Sequence, residues 1–109
     1  QMYHEARHYY QNMIIADFYA RGKSKELPAT IRQWELENAN YQRNEGTEET
    51  QKANAAQKIE IDANAFAIAM LNLKGITEAR APEEQWQKTE KRAVEIYRTI
   101  SRKVRNQSK

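Results

Sequence analysis

The sequence predicts an all-α fold, a three- to four-helix bundle packed around a hydrophobic third helix. Three observations predict it. Only three Gly and two Pro interrupt 109 residues, so few positions break a helix. Apolar residues recur at helical spacing, and no segment alternates as a strand would. One stretch, 59–73, is apolar around nearly its whole circumference, as a helix reads when neighbours cover it on several sides. The chain is 39% hydrophobic and 30% charged, a globular rather than a disordered balance. Its mean hydropathy of −1.03 implies a thin core. A single domain over 1–105 is expected, with 106–109 as a frayed basic tail.

The first helix is expected from Met2 to Ala20, stopped by Gly22 and the polar Lys23-Ser24-Lys25. Pro28 marks a loop and Thr30 an N-cap, so the second helix runs from Ile31 to Arg43 with Ile31, Trp34, Asn38 and Tyr41 on one side. The loop Asn44-Glu45-Gly46-Thr47 leads to a third helix over Glu48 to Lys74, with acids in its first turn where the helix dipole favours them. Gly75 ends it. Pro82 opens a fourth helix at its first turn, whose inward stripe reads Trp86, Ala93, Tyr97, Ile100 and Val104.

Composition also excludes classes of function. There is no cysteine, so neither a disulfide framework nor a thiolate metal site exists, and a metal must be held by His, Asp or Glu. The longest apolar-rich run, Ala63 to Leu71, is too short to span a bilayer. With no membrane span and no signal-peptide pattern, the expected setting is cytoplasmic. The net charge is a mild +3. Much of the excess lies at the end, in Arg98, Arg102, Lys103, Arg105 and Lys109, with no acid after Glu95. Such a tail suits a phosphate backbone, but equally a solvated helix end. No aromatic interleaving accompanies it, so nucleic acid is the weaker reading.

His4-Glu5-Ala6-Arg7-His8 is an H-E-x-x-H motif, and the two histidines are the only ones in the chain. On a helix, positions i and i+4 share a face, so His4 and His8 converge on one ion. Zinc favours such nitrogen ligands. Glu5 then serves as the catalytic base that takes a proton from the attacking water. The bland alternative is a surface helix with two solvated histidines. Random placement puts two histidines four apart roughly 2% of the time, and roughly 0.2% with Glu after the first, so the motif is treated as signal.

A third ligand is needed, and Glu60 is the candidate. It is an acid inside the most hydrophobic helix, where a carboxylate is costly unless paired or metal-bound. It shares a face with the small residues Ala56, Ala63, Asn64 and Ala67. The alternative role for Glu60 is an ion pair with Arg7 or another base. Asp62 lies roughly 200° around from Glu60, so for it an ion pair is the preferred reading. Asp17 is similarly misplaced for a ligand. Among the tyrosines of the first helix, Tyr3, Tyr9, Tyr10 and Tyr19, most read as packing residues with a wet hydroxyl.

These residues resemble the zincin metallopeptidases of the gluzincin type, and most closely the small bacterial and phage-associated peptidase-like proteins related to the ImmA/IrrE group. That group carries an E-x-x-A-[DN]-x-F-A pattern, here Glu60-Ile61-Asp62-Ala63-Asn64-Ala65-Phe66-Ala67. The resemblance implies that Glu60 is the third zinc ligand and that Asn64 orients a ligand. It covers about Met2 to Leu73. The metzincin extension is absent, because its third histidine would fall at Ile14 and its glycine at Gln11. A zincin also carries a small sheet ahead of the motif, for which three residues leave no room, so a trimmed or reduced relative is expected. The expected function is zinc-dependent hydrolysis of a peptide bond in a protein or peptide substrate. The alternative is a catalytically silent helical module, a phage or mobile-element regulator that binds a protein or nucleic acid.

Overall fold

The computed structural model describes residues 2–107, with side chains through Lys103. Five α-helices form: α1 Met2–Arg21, α2 Pro28–Ala39, α3 Glu48–Ala56, α4 Lys58–Leu73 and α5 Trp86–Gln107. A 3₁₀ turn over Glu83–Gln85 precedes the last. Among the described residues there is no strand, and no helix is long and apolar enough to cross a membrane.

α4 is the axle. Ile59, Ile61, Ala63, Ala65, Ala67, Ile68 and Ala69 are all buried, and it packs against α1, α2, α3 and α5. Its alanines remove the bulk that would hold neighbouring helices apart. Ala65, Ile68 and Ala69 form a core with Ala93 and Ile96 of α5, edged by Phe66, Trp86 and Ile100. On the other side, Ile31 and Trp34 of α2 are fully buried.

Several expected boundaries move, each for a local reason. The third helix is not continuous from Glu48 to Lys74 but breaks at Gln57, which is extended (φ −65°, ψ 137°). The Gln57 side chain holds the break open: its amide donates to the carbonyls of Gln42 and Asn54, and its oxygen accepts from the Gln42 amide. Ala56 therefore lies on a different helix from Glu60. The second helix starts earlier than expected, with Pro28 in its first turn and Leu27 as N-cap in place of Thr30. It also stops earlier, at Ala39, which leaves Tyr41 outside it. Pro82 caps the 3₁₀ turn rather than opening α5 directly. On α5, Ile96 is buried where Tyr97 was expected. The side chain of Val104 lies outside the described residues. Beyond Arg105, α5 continues to Gln107, and positions 108–109 of the expected frayed tail fall outside the described residues.

One buried charge cluster ties these helices together. Asp62 accepts from Arg7 Nε at 2.7 Å and Arg7 Nη2 at 3.2 Å. It also accepts from Gln11 Nε2 at 2.8 Å and from Arg92 Nε of α5 at 2.8 Å. Arg92 continues to Glu26, which also accepts from the Tyr10 hydroxyl. The Arg7 guanidinium lies over the rings of both Tyr10 and Phe66, 4.2 and 5.0 Å from their centroids. Thus Asp62 takes the ion-pair role expected of it, and it claims the Arg7 that was the alternative partner for Glu60.

Burial raises the pKa of Asp62, but the two arginines and Gln11 outweigh it and hold it below its ordinary value. Removing one partner of a buried pair strands the other's charge in a poorly solvated site. Asp62→Asn keeps the shape and removes that counter-charge, so it should cost about 3–5 kcal/mol in urea unfolding. A loss below about 1 kcal/mol would mean that the cluster is no more than a surface ion pair in energy.

Candidate metal centre

The first turn of α4 is set by capping from another helix. Glu37 of α2 accepts from the amides of Lys58 at 2.9 Å and Ile59 at 2.7 Å, satisfying donors that a helix start otherwise leaves unpaired. The break at Gln57 and this borrowed cap place Glu60 in that first turn. Across from it runs α1, where His4, His8 and Gln11 share one face by helical spacing.

His4, His8 and Glu60 converge, with one ligand atom from each lying within 4.8 Å of the others. The two Nε2 atoms are 3.0 Å apart. His4 Nε2 is 3.2 Å from Glu60 Oε1, and His8 Nε2 is 2.9 Å from Oε2. Despite that short distance, no donor is aimed at the buried Oε2.

The outer nitrogens of both rings are held. Gln11 is fully buried, and its amide nitrogen donates to Ile59 O and to Asp62 Oδ2. Its oxygen therefore faces His8 Nδ1, at 2.9 Å, and can only accept. Asn64 Oδ1 lies 2.8 Å from His4 Nδ1 and accepts in the same way. With a proton on each Nδ1, both Nε2 atoms carry lone pairs. Two lone pairs and a carboxylate then face one point, an arrangement that repels itself unless a cation lies between them.

The three residues could hold a metal ion at that point. Tetrahedral zinc with bonds of about 2.0–2.2 Å keeps its ligand atoms roughly 3.3–3.6 Å apart. The two nitrogens here are 3.0 Å apart, and they lie 3.2 and 2.9 Å from the two different Glu60 oxygens, somewhat closer than an ion would hold them. The donor set of two imidazoles and one carboxylate is one that catalytic zinc uses, and it leaves a fourth position open. The carbonyl acceptors behind each ring are the outer support such ligands need.

Glu5 is exposed, and among the described residues no hydrogen bond or ion pair restrains it. Its negative charge is felt at His8, and it is not one of the three grouped residues. Asp17 does not join the group. Two residues that the sequence did not mark also belong here. Gln11 locks His8, and its only signal was a polar residue in the middle of the buried face of α1. Tyr41 lines a cleft of about 280 Å³ beside His8, together with Asn12, Asn38 and Ile59. Its hydroxyl accepts from Asn54 at 3.0 Å. Burial raises the Tyr41 pKa, and the nearby Glu60 raises it further. A larger concavity, about 790 Å³, lies elsewhere, between the end of α4 and α5. Compared with protein-family models, curated proteins and solved structures, the chain matches none.

Without metal, protons take the place of the cation, and stability follows pH accordingly. Burial alone would raise Glu60, but the His4 and His8 imidazoles beside it hold its pKa at about 2, below the ordinary 4.5. Its stabilising contribution is complete above 4.5 and is lost as the pH falls toward 2. The Glu60 carboxylate raises His8 above 6.5, against a smaller opposing effect of burial. That contribution is complete below 6.5 and is lost as the pH rises through the raised value. Metal-free protein should therefore gain most from this pair between 4.5 and 6.5, read as urea midpoints across pH. Zinc should reverse the alkaline decline, because it binds the deprotonated rings. A decline unchanged by zinc would argue against the site.

Proposed function

We propose that the chain is a zinc-binding, metallopeptidase-like domain whose chemistry is hydrolysis of a peptide bond in a protein or peptide. The observation that carries this reading is the convergence of His4 Nε2, His8 Nε2 and Glu60, with both outer ring nitrogens already committed to Asn64 and Gln11. The likeness to the gluzincin-type zincins, and to the ImmA/IrrE group in particular, rests on the H-E-x-x-H motif and the residues from Glu60 to Ala67. A cytoplasmic setting belongs to the same reading.

In this reading zinc supplies Lewis acidity, polarising a substrate carbonyl and making water more acidic. The remaining work falls to the chain. Glu5 accepts the proton that water loses as its oxygen bonds to the carbonyl carbon. It then returns that proton to the nitrogen as the C–N bond breaks. Its exposure and lack of restraint suit a group that must meet substrate and change protonation state. Asn64 and Gln11 keep the imidazoles in the ligating tautomer, so they act as positioning residues. The Tyr41 hydroxyl stands at the wall of the adjoining cleft, where an O–H can donate to a polarised carbonyl oxygen.

Elemental analysis of the purified chain, reconstituted near neutral pH, should find about one zinc per chain. His4→Ala or Glu60→Ala should abolish it. No zinc in the parent chain would overturn the proposal at its first step. With zinc bound, Glu5→Gln should keep the metal and lower the cleavage of an unfolded protein substrate by roughly 10²-fold or more. Cleavage that survives Glu5→Gln unchanged would assign the base to another group.

A further inference from the structure

The face of α1 opposite the metal centre carries a second pattern. Met2, Ala6, Tyr9, Met13, Ala16 and Ala20 recur at alternating spacings of four and three, and all six are exposed. At about 100° per residue they form one stripe, centred about 180° from the buried face of His4, Arg7, Gln11 and Phe18. Met2 is 77% exposed, Tyr9 70% and Met13 48%. No charged residue lies within the stripe, although charged residues make up 30% of the chain. A solvated helix face in so polar a protein carries charge, whereas a repeat of this period is the pattern by which one helix packs along another.

We infer that this stripe is the interface of a two-fold dimer, in which α1 lies antiparallel against α1 of a second copy. The size pattern selects that partner. About a two-fold axis beside residue 11, Met2 meets Ala20, Ala6 meets Ala16 and Tyr9 meets Met13. Large residues face small ones at the ends, and the paired alanines let the backbones approach. Near the axis, each methionine sulfur rests on a tyrosine ring, a favourable contact. A parallel pair would oppose Tyr9 to Tyr9 and Met13 to Met13, with alanine against alanine between them, which leaves alternating bulges and gaps.

Charge agrees with the antiparallel arrangement. The acids bordering the stripe are Glu5 on one edge and Asp17 on the other. The two-fold brings each edge against its own counterpart, so Glu5 approaches Tyr19 of the partner copy and Asp17 approaches Tyr3. No two acids meet. The helix is 20 residues long, and its stripe with the flanking tyrosines would bury on the order of 700 Å² per copy, close to the ~800 Å² per partner of a standard specific interface. Homodimers with a two-fold axis are the commonest assembly of soluble chains. The interface uses no metal ligand, so it stands or falls independently of the zinc site.

The test is sedimentation velocity of the full chain from about 1 µM to about 1 mM, beside Tyr9→Lys and Met13→Lys. Both positions are exposed, so circular dichroism should show either variant as helical as the parent. The parent should pass from monomer to dimer with concentration. Either lysine should weaken dimerisation by at least about tenfold. Register is tested by disulfide formation, which is clean in a chain without native cysteine. A mixture of Ala6→Cys and Ala16→Cys chains should give mixed disulfide dimers, while each variant alone should cross-link poorly. A parent that stays monomeric throughout, a dimer indifferent to both lysines, or cross-linking within each variant alone would overturn the inference.

Discussion

The contact between Arg7 and Asp62 fixes the register of α1 on α4, and the convergence of His4, His8 and Glu60 depends on that register. At the buried end of the interface, Arg7 and Gln11 both bond to Asp62. Once those positions are held, helical geometry leaves little freedom: His4 and His8 must lie one step to the side, facing Glu60 and Asn64. Slipping α1 along α4 by one residue would move each imidazole by about 1.5 Å and turn it by about 100°, enough to undo the convergence. The Asp62 cluster touches no ion and orders the group that would. Its burial raises the energetic stakes: a fully bonded buried charge network specifies one arrangement strongly, and a broken one is expensive.

Glu60 is placed by a different constraint. Interior residues of a long helix would be committed to the helix's own hydrogen-bond ladder. The break at Gln57 makes Lys58 and Ile59 donors at a helix start, and Glu37 takes both. That cap pins the start of α4 to α2, while Gln11 pins the Ile59 carbonyl to α1. Three helices thus meet at the first turn that carries Glu60. A carboxylate near a helix N-terminus is also favoured by the dipole, which eases the cost of keeping Glu60 charged at a buried position.

The sequence revealed much of this, and the pattern of success has a physical cause. His4 and His8 were legible because i, i+4 spacing is local and a helix converts it directly into proximity. Glu60 and Asp62 stood out as acids in an apolar stretch, and their separation of two residues sent them to different partners. The break at Gln57 was not legible. Nothing in Ala55-Ala56-Gln57-Lys58 resembles a stop signal, because the break is made by bonds to Gln42, fifteen residues away. Tyr41 was misplaced for a related reason. The sequence extended α2 through it, whereas the chain leaves the helix at Asn40 and swings Tyr41 beside His8. Gln11 entered the sequence reading only as the position where a metzincin glycine would fall. Only its complete burial, with both ends of its amide bonded, shows that it sets the state of His8.

α1 therefore carries three messages on one cylinder. Arg7, Gln11, Ile14 and Phe18 address the core, His4 and His8 lie at one edge of that face, and the stripe from Met2 to Ala20 points the opposite way. A period near 3.6 lets these coexist, since each set samples a separate arc of the helix. Glu5 falls between the second and third arcs. It belongs to the motif by sequence but to the outer surface by angle, which explains why it alone of the motif's functional residues is unrestrained. In the antiparallel dimer its neighbour would be Tyr19 of the partner copy, so the covering of the stripe would also narrow the approach to the candidate base. The motion and hydration of Glu5 would then depend on assembly as much as on the fold of its own chain.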